Sequence, residues 1–292
     1  MNYVTVSGGL GNQMFIYAFY YALSRHTKAK LLHASNNSSK YGHSAYQLPD
    51  VFVLRDIDTK YSVQDKIFAL YWHGLKALPR FLRTKLLKFS GYQEVTVPDN
   101  FVYYDNVVNY DYNKRVYRGT WQSEQYFSDF CDEIKEAFLF KTKSLNEKTR
   151  SVDRIIQVQN SVSVHVRRSD YLSGVYKSGF GGICTLEYYN KAMDYISERI
   201  SDAHFYVFSD DIEWCRQNFT DKSISFIDWN VRDDSWQDMY LMSHCKHNII
   251  ANSTFSWWGA YLNRNPESII IAPSVWWNGI KDDIVPKRWT RL

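Results

Sequence analysis

The sequence predicts an α/β protein whose second half is a doubly wound parallel sheet. Three observations carry this. Strand and helix signals alternate from residue 161 onward, charged and hydroxyl residues collect just after the strands, and the chain opens with a strand, a glycine turn and an apolar helix, as a βα unit begins.

In order along the chain, Tyr3 to Val6 reads as the first strand and Ser7-Gly8-Gly9-Leu10-Gly11-Asn12 as the turn after it. Met14 to Leu23 is an apolar run far too short to span a bilayer, so a buried helix is expected. Between Asp65 and Glu94 stand Lys66, Lys76, Arg80, Arg83, Lys85 and Lys88 with no acidic residue, interleaved with Leu75, Leu78, Phe81, Leu82, Leu86 and Leu87 and broken by Pro79. That pattern predicts a helical hairpin with a solvated basic face, or a hairpin that meets anionic lipid. Lys141 to Asn160, rich in Lys, Ser, Asn and Gln, is the expected joint, dividing the chain into residues 1–155 and 156–292. Beyond it, strands are predicted at Ser161 to Val166, Phe205 to Phe208, Ile224 to Ile227, Asn248 to Ala251 and Ile269 to Ala272. Helices are predicted over Thr185 to Ile200, from Ile212, over Trp236 to Cys245 and over Phe255 to Leu262.

Composition narrows the function classes. With 45% hydrophobic and 23% charged residues the chain is an ordinary folded protein of about two domains. The aromatic share is high, with 23 Tyr, 17 Phe and 10 Trp, which suits either a large core or a surface that meets sugars or bases. A net charge of +4 is too small for a chain that wraps nucleic acid. Cys131, Cys184, Cys215 and Cys245 have no paired spacing, so reduced thiols are expected. The N-terminus has no basic region followed by an apolar one and reads as neither signal peptide nor anchor.

Four clusters could carry chemistry. In His165-Val166-Arg167-Arg168-Ser169-Asp170-Tyr171, strand alternation puts His165 and Arg167 on one face at a carboxyl end. Adjacent Arg167 and Arg168 suit a diphosphate, because the guanidinium fork matches phosphate oxygens; the alternative is a salt bridge to Asp170 that merely closes the strand. Ser209-Asp210-Asp211 could accept bonds from a ribose or a guanine, or cap the next helix, with Asp210 and Glu213 resembling a capping box. Asn252, Ser253, Thr254 and Ser256 stand at a strand-to-helix turn followed by Trp257 and Trp258; helix-start N–H groups and hydroxyls attract phosphate there, and the two tryptophans read as core. Gly8, Gly9 and Gly11 allow close backbone approach to a ligand, with Asn12 and Gln13 in reach. Their spacing fits neither the P-loop nor the dinucleotide fingerprint. Asp56 and Asp58 offer an alternative reading as the paired carboxylates of a metal-dependent sugar transferase. His244-Cys245-Lys246-His247 lacks a second ligand pair and reads as a helix end.

The turn Gly8-Gly9-Leu10-Gly11-Asn12-Gln13-Met14-Phe15, the block from His165 to Tyr171, Ser209-Asp210-Asp211 and Asn252-Ser253-Thr254-Phe255-Ser256-Trp257-Trp258-Gly259 together resemble the bacterial alpha-1,2-fucosyltransferases of glycosyltransferase family 11, over nearly the whole chain. The resemblance implies a glycosyltransferase B fold, two Rossmann-like domains facing across a cleft. It implies GDP-L-fucose as donor, a galactose-terminated and lipid-linked acceptor, and transfer with inversion and without metal. It further implies that Arg167 holds the pyrophosphate, that His165 and Asp210 or Asp211 read the guanosine, and that Ser253, Thr254 and Ser256 meet phosphates or fucose. Asn12 and Gln13 would reach the donor from the first domain, and Asp170 would be the general base or orient Arg167. The glycine-rich stretch Tyr171 to Cys184 is expected to be a mobile cover, with Tyr171, Tyr176, Phe180 and Trp121 as candidate acceptor contacts. Eukaryotic relatives carry an N-terminal anchor, whereas this sequence starts directly at the first strand, so the resemblance suggests a cytoplasmic bacterial enzyme of O-antigen assembly, expected to be peripheral at the inner membrane through Lys66 to Lys88. A non-catalytic sugar-binding protein is the competing class.

Overall fold

The computed structural model describes residues 1–33, 46–54, 61–108, 113–220 and 223–292, and divides into two compact units, Met1–Leu139 and Phe140–Leu292. Asp56 and Asp58 lie outside the described residues.

The first unit is built on a parallel sheet of β1 (Asn2–Thr5), β2 (Ala29–Leu32), β3 (Gln93–Val95) and β4 (Arg115–Tyr117), in the order β2-β1-β4-β3. The helix Leu10–His26 joins β1 to β2 and buries every residue from Gln13 to Leu23. A helix apolar on all sides belongs in a core, which is why its sequence shows no polar face. Its Phe19 stacks on Trp121 with ring centroids 4.2 Å apart. Trp121 is fully buried, so it is a core residue and no acceptor contact.

The basic stretch folds as the expected hairpin, Val63–Leu75 and Arg80–Phe89. Ser62 and Asp65 form a capping box at the first start, and the Tyr3 hydroxyl also donates to Asp65, 2.9 Å away. Phe68, Trp72, Leu75 and Leu87 turn inward onto Tyr3 and Val116. Arg83 departs from the solvated face: it is buried, with its Nε 3.0 Å from Glu94 Oε2.

The second unit holds β5 (Asn160–Val166), β6 (Ala203–Ser209), β7 (Ile224–Ile227), β8 (His247–Ile249), β9 (Ile270–Ala272) and β10 (Thr290–Arg291), all parallel, in the order β10-β9-β8-β5-β6-β7. Five were predicted; β10 has two residues, too few to show a period. Both faces of β5 are covered, with Val162, Val164 and Val166 in a core shared with Tyr189, Met193 and Ile196 of the helix Leu186–Ser197. Chain order reverses between β5 and β8, and open parallel sheets bind ligands outside the strand ends at such a point.

The division at Leu139 comes earlier than the expected residue 155 because the helix Glu147–Val158 is fastened to the second unit. Asn146 at its cap donates to Asn230, and Asp153 accepts from the Tyr240 hydroxyl and meets His244, at 2.8, 2.9 and 2.6 Å.

Candidate active site

Three of the clusters converge on the carboxyl ends of β5, β6 and β8 in the second unit. Arg167 follows β5 directly. Its Nε and Nη2 donate to Asp170 Oδ1 and Oδ2 at 2.9 and 3.0 Å, a bidentate pair, and Nε lies 3.2 Å from Asp210 Oδ2. Burial works against the guanidinium charge, but the Asp170 bonds and the Asp210 charge outweigh it and hold its pKa above the ordinary value. Nη1 is left without a bond to any described residue, so the fork is clamped on one edge and open on the other.

His165 lies one strand period back from Arg167 and is buried. Burial, helped by the Arg167 charge, pushes its pKa down to about 3, so the imidazole is neutral at physiological pH. Its Nδ1 is buried without a hydrogen-bond partner among the described residues. A histidine whose folded value falls below its unfolded one leaves stability intact above about pH 6.5 and erodes it as pH falls toward 3. Acid unfolding followed in urea should therefore show wild type losing stability faster than His165→Gln below pH 6.5, by up to about 1.4 kcal/mol per pH unit. Parallel curves would contradict this burial.

Other candidates are committed to structure. Asp210 accepts from the backbone N–H groups of Arg168 and Ser169 at 2.9 and 3.2 Å, so it builds the turn that carries Arg167. Asp211, and not Asp210, caps the helix Ile212–Asn218 by accepting from the Trp214 N–H, while its second oxygen pairs with Arg168 at 3.1 Å. Arg168 also lies over the Trp214 ring, 3.9 Å from its centroid. Each oxygen of both aspartates already has one donor, so both help to build the turn as well as offering their remaining lone pairs, Asp211 with 36% of its side chain exposed. Ser256 donates to the carbonyls of Ala251 and Ser253, and so offers no donor to a phosphate. Ser253 stands at the cap of the helix Thr254–Tyr261 with no side-chain capping bond, and Thr254 is half-buried beside it. The N–H groups of that first turn have no partner within the helix.

Asn252 is a clamp. Its Nδ2 donates to the carbonyls of Phe180 and Trp276, both at 3.2 Å, and its Oδ1 lies 3.4 Å from Cys184 Sγ. The Tyr171 hydroxyl donates to its carbonyl. Tyr171 stacks on Phe180, Phe180 meets Trp277 edge-on, and Asn278 Nδ2 donates to the carbonyls of Ser178 and Gly181. A Cβ on Gly179 would fall 2.2 Å from the Trp277 ring. Residues 171–184, expected to be a mobile cover, are here tied to Asn252, Trp277 and Asn278, and Tyr171 and Phe180 stack on each other. Sequence reasoning missed this clamp because its partners are far apart in the chain.

In the first unit the glycine turn follows β1. Gly8 has φ +78° and a Cβ there would meet Asn12 Nδ2 at 2.6 Å, so this position requires glycine. Gly9 caps the helix and Gly11 is buried within it. Gln13 bridges the Gly8 carbonyl and the Gln47 N–H at 3.0 and 2.8 Å, and is spent on structure. Asn12 Oδ1 accepts from Gln122 Nε2. Among the described residues no group of three or more His, Cys, Asp or Glu is placed to hold a metal ion, and no helix is long and apolar enough to cross a membrane.

The chain is 34% identical to the alpha-1,2-colitosyltransferase of Escherichia coli, covering 98% of this chain and 97% of that protein. It is 28% identical to the O-antigen biosynthesis glycosyltransferase WbnK of Escherichia coli, covering 99% and 100%. Among solved structures, NodZ alpha-1,6-fucosyltransferase soaked with GDP-fucose superposes with a TM-score of 0.51 at 13% identity, over 89% of this chain and 92% of that one. A variant of Arabidopsis thaliana FUT1 in complex with GDP gives 0.52 at 11%, over 93% and 70%. These likenesses place the fold in the glycosyltransferase B class. The family model described as glycosyl transferase family 11 matches residues 1–291, and with the whole length accounted for the chain belongs to that family and is a glycosyltransferase.

Proposed function

We propose that the protein transfers L-fucose from GDP-L-fucose to the 2-hydroxyl of a terminal galactose, with inversion and without a metal. The observation that carries this is the Arg167 guanidinium, clamped by Asp170 and Asp210 with its Nη1 unbonded among the described residues and its charge felt by the buried, unpartnered His165. In the reaction the acceptor O2 bonds to C1 of fucose as the C1–O bond to the diphosphate breaks. The electron pair leaves with GDP and the hydroxyl proton passes to a base. Charge grows on the diphosphate, and Arg167 with the N–H groups of the helix start at Thr254 would meet it, in the place a metal ion takes elsewhere. His165 is a donor contact through its neutral ring. Asp170 has both oxygens on Arg167, which favours a positioning role over that of the base. Asn12 stays the first unit's candidate.

A second reading, transfer of colitose, is favoured by the similarity to the colitosyltransferase. Colitose is L-fucose without its 3-hydroxyl, and a site built to bond that hydroxyl would reject the deoxy sugar strongly. Incubation with GDP-fucose and GDP-colitose in competition, galactose-ended oligosaccharides as acceptors, and linkage analysis by mass spectrometry tests both. An alpha-1,2-fucosylated product formed equally in EDTA is expected; colitose incorporation in excess would select the second reading, and no transfer from either donor would reject both.

A lipid-linked acceptor fits the hairpin. Ile67, Leu70, Phe81, Leu86 and Phe89 are exposed, Leu70 by 75% and Phe89 by 94%, and Lys66, Lys76, Lys85 and Lys88 are exposed among them, while Asp65 is buried. Apolar and basic side chains together suit the surface of an anionic bilayer. Flotation with phosphatidylglycerol vesicles at low salt should recover the protein, and Leu70→Glu with Phe89→Glu should abolish recovery. Wild type left at the bottom of the gradient would overturn this contact.

A further inference from the structure

Outside the arginine site of the second unit, the first unit contains an open cavity of about 550 Å³ whose lining includes Ser7, Arg80, Arg83, Thr96, Arg118 and Thr120. Ser7 follows β1, Thr96 and Val97 follow β3, and Arg118 to Thr120 follow β4, so the cavity stands at the carboxyl ends of three parallel strands, the place where open sheets of this kind take ligands. Its size is that of a site for a small ligand.

The wall is strongly donating. Arg83 is pinned, with Nε on Glu94 and Nη1 on the Leu78 carbonyl at 3.3 Å. Arg80 holds only Thr96 Oγ1, at 3.3 Å. Arg118 keeps 48% of its side chain exposed, and among the described residues its ion-pair partner is Glu94, 3.7 Å off. Asn100 spends its Oδ1 on the Thr120 N–H, and Thr120 Oγ1 is buried with no partner. Among the described residues of this wall three guanidiniums thus share one carboxylate, Glu94, whose side chain is buried with Oε2 held by Arg83 and Oε1 left without a hydrogen bond, 3.7 Å from Arg118. A terminal galactose is neutral and calls for no such excess. A phosphate or a carboxylate does, because guanidinium forks bind planar or tetrahedral oxyanions through charge-assisted bonds.

We infer that this cavity is an anion subsite, binding a phosphate or carboxylate carried by the acceptor, with Arg118 and Arg80 as the gripping residues. The assignment to the acceptor rests on the proposed fucosyl transfer; the anion site itself does not. The two sources of the anion are the diphosphate of a lipid carrier and the carboxylate of an acidic sugar.

Calorimetric titration of inorganic pyrophosphate into wild type, Arg118→Gln and Arg167→Ala tests the site. Binding that persists in Arg167→Ala and weakens roughly tenfold or more in Arg118→Gln is expected, the usual size of a lost charge-assisted bond. Absence of binding in Arg167→Ala, or equal binding by wild type and Arg118→Gln, would overturn the inference. Kinetics with a galactose-ended disaccharide, the same disaccharide on a short isoprenyl diphosphate, and the same disaccharide extended by glucuronic acid then identify the source. Arg118→Gln should raise KM for one charged acceptor at least tenfold with kcat unchanged, and leave the neutral one alone. An equal rise for the neutral acceptor would make the cavity a plain sugar subsite and overturn the anion assignment. A protein that transfers fucose to none of the three but still shows the pyrophosphate pattern has lost the proposed function and kept the anion site.

Discussion

Replacing Arg167 with alanine is expected to lower kcat/KM for fucosyl transfer by roughly a thousandfold or more while the protein stays folded. A fixed donor that meets charge on the leaving group commonly contributes a factor of about a hundred to a thousand, and a full guanidinium charge stands at the upper end of that range. Here its position is set twice, by the two Asp170 oxygens and by Asp210, so in the proposed reaction it would meet the departing diphosphate with little reorganisation. Asp170→Asn leaves the guanidinium in place but loosens it, and about a ten- to hundredfold fall is expected from misaim. The urea midpoint should change little for Arg167→Ala, because the Asp210 bonds to the Arg168 and Ser169 N–H groups keep the turn. The ordering is the test. If Asp170→Asn is as dead as Arg167→Ala while GDP still binds, Asp170 is the base and not a positioning residue; if Arg167→Ala retains a tenth of wild-type turnover, the proposed site is wrong.

The second large effect is on stability. Trp257→Ala is expected to cost about 3–5 kcal/mol, the range for truncating a buried aromatic to alanine. Trp257 is fully buried, its Nε1 donates to the Ile284 carbonyl at 2.8 Å, and its ring stacks on Tyr261 with centroids 4.7 Å apart and meets Trp258 and Trp289. Truncation leaves a cavity and an unpaired buried carbonyl together. The helix Thr254–Tyr261 that carries Trp257 also presents Ser253 and Thr254, so surviving protein should bind GDP more weakly. Urea unfolding monitored by tryptophan fluorescence and by circular dichroism reads the loss, and a change below about 1 kcal/mol would mean the helix is not anchored through this ring.

These residues also show what the sequence could and could not reveal. In the second unit β5, β6 and β7 are legible because they are runs of four to seven residues with helices of regular period between them, and because charged residues fall abruptly at the ends of β5 and β6; β8 and β9, with three residues each, are legible because they sit in the longer apolar runs Ile249-Ile250-Ala251 and Ile269-Ile270-Ile271-Ala272. The first-unit strands β3 and β4 have three residues each, and no period can be read from three. Arg167 and His165 stand out because strand alternation alone puts them on one face. The partners of Asp210 and Asp211 are hidden, since a carboxylate at a strand end reads equally as a ligand contact, a cap or a turn support, and only coordinates show that Asp210 supports a turn and Asp211 caps a helix. Trp121 illustrates the opposite error: beside an arginine it looks like a sugar platform, yet its ring lies flat on Phe19 inside the core. The aromatic share of the composition is mostly of this buried kind.

The Asn252 clamp bears on the order in which the protein assembles. The Arg167–Asp170 pair is three residues apart and can form as soon as the end of β5 does. Asn252 instead ties together Phe180, Cys184 and Trp276, at separations of 72, 68 and 24 residues. Contacts of such span must wait for the strands between them to dock, since loop closure is costly until the sheet holds the ends together. On an emerging chain the guanidinium would therefore be aimed long before the insert beside it is fastened, and the site would become complete only once Trp276, close to the end of the sequence, has been made.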